Sequence, residues 1–393
     1  MVPRLEFVST SERFAKNVGR SLLSHKAPVL ESLHMKIRNH ECDDIYLGDI
    51  GAWIGIAFAR HVREFVLDVY NSFGEPLLFL SSLFCCDTLV TLKLKKSIYI
   101  DVPCPVSMKS LRILHLESVT YCKDNESICN LLSGCPNLEE LVVHRGDSSY
   151  GKNFVIVVPS LKRLSINDSA SGWSDGRYVI NAPCLEYLKI ERLKGYEICL
   201  IENVPELVEA NIRDVSKTSS ENILGSLKSA KRLSLDLSTF EIKCPSGAIF
   251  YQLVCLEMYT HRAKWWNLLT LMLDSSPKLQ VLKLVDCWSH EQHLDYGWNP
   301  YLVGEKWSEP KYVPQCLLSH LEAFVWTRCD WRKEEERKVA AYILRNAIRL
   351  KKATFSIRPI EKLKELEKRL EMLKVLNGVV RGSNSCQLVF EFE

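Results

Sequence analysis

Three side chains with metal-ligand chemistry fall close together at Cys287, His290 and His293, with Glu291 and Asp295 beside them. A thiolate, two imidazoles and a carboxylate are the ligand types of a tetrahedral zinc site. The set lies in one stretch, and no second cluster elsewhere would complete and support it. A polar segment carrying one thiol is therefore the expected reading, and no metal or other cofactor is assigned. An enzyme would have to rest on this cluster, because the other signatures of catalysis are missing. No two cysteines stand three apart, and there is no His-Glu-x-x-His. The chain also has neither a glycine-rich loop ending in Gly-Lys-Ser/Thr nor a Gly-x-Ser-x-Gly elbow. A non-enzyme is expected.

A second group of polar residues suits recognition. Lys93, Lys95, His115, Glu117, Lys189, Glu191, Arg213, Asp236, Glu257 and Tyr259 each stand between or just after paired apolar residues. If those apolar residues face a core, the ten point the other way. They then form a chemically mixed row of the kind that meets a protein surface or a peptide. Any one of them taken alone does no more than keep the chain in solution.

What must position that row is a repeat. The frame is an apolar residue, two others, an apolar residue, one other, and an apolar residue. It begins at Leu89, Leu111, Leu138, Leu161, Leu185, Leu207, Ala230, Leu253 and Leu279. Successive starts are about 22 to 27 residues apart, inside the leucine-rich-repeat range. Weaker copies begin at Leu30, Val62, Leu321 and Leu350. The last two apolar residues of each copy are two apart, so they share one face of a strand. A return segment must bring the chain back for the next parallel strand. Ser127–Ser133, stopped at Gly134, and the stripe Trp265, Leu268, Leu269, Met272 and Leu273 read as helical returns. Pro103, Pro136, Pro159, Pro183, Pro205 and Pro277 stand near the starts of copies. They are expected to block helix and favour extended backbone into the strand.

The ends depart from the repeat. Ser9–Ser24 reads as a helix, with Ser9 and Glu12 as a capping box and Phe14, Val18 and Leu22 as its stripe. It is expected to cover the N-terminal end of the stack. Between 286 and 314 the period breaks in a stretch containing Trp288, Trp298 and Trp307. Beyond it, a strand at Leu321–Trp326, a helix at Glu334–Arg349, a strand at Ala353–Ile357, a helix at Glu361–Leu376 and a last strand through Leu388, Phe390 and Phe392 make a βαβαβ module. Val339, Ile343, Ala347 and Leu350 are expected inward on the first helix, and Leu363, Leu366, Leu370 and Leu373 on the second. The fold class is thus α/β, a solenoid of parallel strands with irregular returns and a C-terminal cap that continues its sheet. The segments are 1–27 helical cap, 28–285 repeats, 286–314 aromatic-rich loop and 315–393 C-terminal module.

Composition agrees. The 393 residues are 47% hydrophobic and 25% charged, with 51 basic and 48 acidic residues. That balance offers no reason to expect nucleic acid or membrane lipid as a partner. The basic residues of the C-terminal helices alternate with Glu334, Glu335 and Glu336, as on a solvated face. The apolar stretch Ile50–Ala59 is about half the length a bilayer requires. The fifteen cysteines are scattered through apolar stretches as small hydrophobes, as in a reduced, intracellular protein of cytoplasm or nucleus. The sequons at Asn125 and Asn167 are taken as chance.

Three segments carry a family resemblance. The first runs from Arg13-Phe14 through Ser21-Leu22-Leu23-Ser24-His25-Lys26-Ala27-Pro28 to Leu33. The second is Leu131-Leu132-Ser133-Gly134-Cys135-Pro136-Asn137-Leu138-Glu139-Glu140-Leu141. The third is Val313-Pro314-Gln315-Cys316-Leu317-Leu318-Ser319-His320-Leu321-Glu322, with Tyr342-Ile343-Leu344-Arg345-Asn346-Ala347 after it. Together they resemble plant F-box proteins with leucine-rich repeats and a C-terminal FBD domain. The resemblance implies the substrate-recognition part of a ubiquitin-ligase receptor. Such proteins dock on a Skp-type adaptor through an N-terminal F-box, and no F-box is visible here. The expectation is a non-catalytic protein-interaction module that binds a protein target on its open sheet face. The alternative is a working receptor of a Skp–cullin–F-box ligase whose F-box is missing from this sequence.

Overall fold

The computed structural model describes the chain apart from residues 1–3, 10–13, 25–28, 40–46, 72–75, 80–83, 103–104, 122–123, 147–152, 170–175, 194–195, 216, 238–248, 262–263, 287–305, 330–332, 358–369, 371 and 392–393. Two compact units divide it, Met1–Glu206 and Leu207–Glu393.

In the first unit the repeat frame becomes eight parallel strands: Arg4–Val8, Ser32–Asn39, Glu64–Asn71, Thr91–Lys96, Ile113–Glu117, Glu140–Arg145, Arg163–Asp168 and Tyr187–Glu191. Their register stacks like on like. Leu92, Leu114, Leu141, Leu164 and Leu188 lie side by side, as do Leu94, Leu116, Val143, Ile166 and Ile190. All ten are at most 1% exposed. Burying each such side chain is worth about 1.5–3 kcal/mol, and no repeat alone could collect it. The weak copies at Leu30 and Val62 are full repeats, with both residues buried and a strand after each.

The return path differs from expectation. Helices Leu47–Phe58 and Asp124–Ser133 are present. Elsewhere the chain returns through short strands in two back sheets. One holds Leu77–Phe79, Ile98–Ile100 and Thr120–Tyr121; the other holds Asn153–Val157, Gly176–Asn181 and Tyr196–Glu202. Both are parallel. Their buried residues alternate, as at Phe154 and Ile156 or Tyr178 and Ile180, so period two rather than 3.6 governs these returns. The N-terminal segment also differs. Helix Phe14–Ser24 forms and buries Phe14, Val18 and Leu22, but the strand Arg4–Val8 precedes it and pairs with Ser32–Asn39. The sheet therefore begins ahead of the helix. The proposed cap at Glu12 lies outside the described residues.

The second unit continues the frame in seven parallel strands: Glu209–Arg213, Arg232–Asp236, Cys255–Tyr259, Val281–Val285, Ala323–Cys329, Lys352–Ile357 and Gln387–Glu391. The strands of the C-terminal module pair in parallel with Val281–Val285 and with each other, as the sequence predicts. Helix Trp265–Ser275 buries the five residues of its stripe, and helix Glu334–Asn346 buries Val339 and Ile343. Aromatic side chains thicken this core. Trp326 meets Trp265 edge-on at 5.6 Å, and Phe324 meets Phe355 at 5.5 Å. Trp307 packs on Tyr342 of the helix at 5.5 Å. In the last helical stretch, 372–378, Met372 and Leu376 are buried while Leu370 is 59% exposed. The inward face is thus the 372/376 pair, and Leu370 falls off it. Leu363 and Leu366 lie outside the described residues.

The prolines act differently from expectation. The N–H of Leu138 bonds the carbonyl of Cys135, that of Leu161 bonds Val158, and that of Leu185 bonds Ala182. Each is a four-residue turn with proline second, the position its fixed φ suits. The same turn forms without proline at Phe250–Leu253 and Leu227–Ala230. Proline therefore sets a turn rather than extended backbone. After it, one carbonyl of the preceding repeat accepts two N–H groups: Arg112 takes Glu139 and Glu140, and Lys162 takes Glu186 and Tyr187.

Candidate functional site

On the first unit, outward positions align in two rows. One runs through Lys93, His115, Val142, Ser165 and Lys189; the other through Lys95, Glu117, His144, Asn167 and Glu191. Neighbouring strands lie about 4.8 Å apart, so residues 22 or more positions distant in sequence become adjacent. The rows are largely self-neutralised. Lys95 meets Glu117 at 2.8 Å, Lys189 meets Glu191 at 3.0 Å, and His115 meets Glu140 at 2.8 Å. Half-exposed pairs of this kind contribute little stability, but they hold long side chains in place. Lys93 has no acidic partner among the described residues. Beside the predicted set stand His144 and Asn167, and Arg192 donates to Asn167 Oδ1 at 3.0 Å. Burial pulls the His144 pKa below its ordinary value. The rows end where the backbone turns through left-handed conformations, at Lys96 (φ 68°), Ser118 (φ 54°) and Arg192 (φ 59°).

On the second unit four predicted residues converge. The Arg213 guanidinium lies 4.6 Å over the Tyr259 ring. It donates to Asn211 Oδ1 at 3.0 Å and to the Tyr259 hydroxyl. Tyr259 Oη and Ser234 Oγ both donate to Glu257 Oε1, at 3.2 and 3.0 Å. Asp236 stands opposite Arg213 in the register, with His261 Nε2 at 3.5 Å from its carboxylate. Asp236 and Tyr259 are only 8% and 7% exposed, because Arg213 and His261 cover them. They shape the surface from beneath rather than present themselves on it. Asn211, Ser234 and His261 are absent from the predicted set, although Asn211 and Ser234 share a register position with Glu257 and could have been found from it.

Among the described residues no group of three His, Cys, Asp or Glu side chains could hold a metal ion. Cys287, His290 and His293 lie outside those residues. Burial raises the thiol pKa of Cys135, Cys199 and Cys316 to about 12. These are packing residues, not nucleophiles. Among the described residues no helix is long and apolar enough to cross a membrane.

Parallel strands in a leucine frame, followed by a strand–helix–strand module, define a leucine-rich-repeat protein. Residues 50–207 match the family model described as "FBD-associated F-box protein At5g56370, LRR repeats", and residues 309–355 match the FBD model. The chain is 58% identical over its whole length to F-box/FBD/LRR-repeat protein At3g51530 of Arabidopsis thaliana, covering 85% of that protein. It is 56% identical to F-box/FBD/LRR-repeat protein At3g52680 and 55% identical to FBD-associated F-box protein At3g52670 of the same organism, again over its whole length, covering 85% and 89% of them. The chain belongs to the F-box/FBD/LRR-repeat family.

Proposed function

We propose that this chain is a non-catalytic, intracellular recognition module that binds a protein target through the outward rows of its repeat strands. The observation that carries the reading is the second-unit cluster. Arg213, Tyr259, Glu257, Ser234 and Asn211 come from three strands into one connected network, pre-organised as a binding surface requires. Arginine and tyrosine are among the residue types enriched in the hot spots of protein interfaces. On the first unit, Lys93, Lys95, His115, Glu117, Lys189 and Glu191 form rows of their own. In this reading 28–285 is the recognising stack, flanked by 1–27, while 286–314 leads to the FBD-like part at 315–393.

The test is affinity purification with mass spectrometry of the wild type and of Arg213→Ala/Glu257→Ala. A protein enriched by the wild type and lost from the variant supports the reading; an unchanged set of partners defeats it. A second reading is favoured by the relatives' names, which include the F-box: the chain acts as substrate receptor of a Skp–cullin ligase. A Skp-type adaptor and a cullin purifying with the chain would establish it, and an enriched target without them would leave a module working outside that ligase.

A further inference from the structure

On the first unit, the ends of strands Ser32–Asn39, Glu64–Asn71 and Thr91–Lys96 enclose a pocket of about 280 Å³. Its walls are Lys36, Ile37, Arg38, Asp68, Tyr70 and Lys96. Three cations face one carboxylate. Lys36 and Arg38 are two apart on one strand and so project from the same face, and both are exposed. Lys36 stands opposite Asp68 in the register and Arg38 opposite Tyr70. The Asp68 carboxylate sits 3.3 Å from the Lys96 ammonium, which also lies 5.7 Å from the centre of the Tyr70 ring. Asp68 therefore serves to fix Lys96 against the aromatic wall. Among the described residues neither Lys36 nor Arg38 has an acidic partner. The other lysine of this corner, Lys95, is already paired with Glu117. Among the described residues the pocket thus carries two positive charges more than it neutralises. Elsewhere on the first unit's rows Lys95, His115 and Lys189 are each paired with an acid, and Lys93 alone of the rows' lysines has no acidic partner among the described residues.

We propose that this pocket is a phosphate-binding subsite of the recognition face, taking a phosphate monoester carried by the target protein. The proposal rests on the recognition reading above and names the chemistry of one contact within it. A phosphate monoester carries about −1.5 to −2 charges at pH 7, which matches the surplus. Arg38 offers a planar fork for two phosphate oxygens and Lys36 a point charge beside it. Tyr70, 48% exposed, offers a ring against which the stem of the modified residue can lie. The volume admits a phosphorylated side chain and lies below the usual range for a large organic cofactor.

The test uses the whole chain on an array of serine-phosphorylated peptides and their unphosphorylated twins, with inorganic phosphate as competitor. The wild type is expected to hold some phosphopeptides at least tenfold better than their twins. Lys36→Ala/Arg38→Ala should lose that preference, and both positions are exposed, so the variant folds. Equal retention of the twins, or a preference that survives the double substitution, overturns the proposal. Inorganic phosphate competing as well as the peptides would assign the pocket to the free anion and overturn its part in target recognition. Phosphopeptide binding that appears only after Glu41, Asp43 and Asp44 are changed to amides would show that the chain neutralises its own pocket, and would also overturn it. Arg213→Ala/Glu257→Ala run in parallel separates the two ideas. If target capture depends on that pair while phosphate preference is absent, the pocket fails and the recognition reading stands.

Discussion

The first unit contains a buried ion pair whose removal should be costly. Asp168 ends the strand Arg163–Asp168, and Arg145 ends its neighbour Glu140–Arg145. Their side chains are 0% and 3% exposed and meet at 3.1 Å. Tyr178, from the back sheet, donates to the same carboxylate oxygen at 2.9 Å. The Arg145 guanidinium lies 5.3 Å over the Phe154 ring, and burial raises the pKa of nearby Tyr121. The group therefore ties the main sheet to the back sheet inside the core. Asp168→Ala removes the carboxylate that pairs with a buried guanidinium, a loss of about 3–5 kcal/mol. Tyr178→Phe removes one hydrogen bond to a charged acceptor, about 1.5–3 kcal/mol. Arg145→Met/Asp168→Leu removes both charges and should restore most of the loss, because the pair spends much of its attraction on desolvation. The assay is urea unfolding followed by circular dichroism, with hydrogen exchange on strand Arg163–Asp168 to locate the effect, since repeat arrays need not unfold in one step. With a slope near 3 kcal/mol/M, the Asp168→Ala midpoint should fall by about 1 M or more. A fall of less than about 0.3 M in that variant, or a double variant as unstable as the single one, would refute the reasoning.

Other perturbations give equally direct outcomes. A Cβ on Gly134 would sit 2.4 Å from Val106 Cγ1 and 2.8 Å from the Val106 carbonyl oxygen, so Gly134→Ala should cost about 1–3 kcal/mol in thermal or urea unfolding. In the folded protein a maleimide should label the exposed Cys85 and Cys184 and spare Cys135, Cys199 and Cys316 until denaturant is added; mass mapping of the labelled peptides checks this. Burial lowers the His144 pKa, so the folded state disfavours its protonated form. Its contribution is full above the ordinary imidazole value of about 6.5 and is lost as pH falls through the lowered one. Wild type should therefore lose stability as pH falls below about 6.5, relative to His144→Gln, and urea midpoints measured down that pH range show the difference.

Much of this molecule can be read from leucines. The frame at Leu89 or Leu161 needs only period two and a fixed spacing, and both are local properties. Even the weak copies at Leu30, Val62, Leu321 and Leu350 mark real strands, because the buried positions survive where the consensus thins. The back strands escaped for the opposite reason. Phe154 with Ile156 and Tyr178 with Ile180 are short alternations without a leucine frame, and a return was expected to be helical. Arg145 and Asp168 look like ordinary surface residues, Asp168 indeed as the middle of a sequon. Their burial depends on a back strand whose existence the frame does not announce. In the candidate site, side-chain direction was legible from alternation, as for Arg213 and Glu257. Coverage was not, and Tyr259 and Asp236 are hidden by Arg213 and His261, partners set by cross-strand register rather than by sequence distance.

The lead-in turn has a genetic corollary. Strands such as Glu140–Arg145, Arg163–Asp168 and Tyr187–Glu191 take their alignment from one carbonyl of the copy before, as Tyr187 does from Lys162, and the same arrangement recurs at Cys255, Val281 and Ala323. A segment running from one such turn to the next therefore has matching ends. Unequal crossing-over between two of these segments would add or delete a whole strand and its return while the flanking strands kept their alignment. A frame of this kind can change its number of copies in a single recombination event, so a lineage can lengthen or shorten its repeat sheet without first passing through a chain that no longer folds.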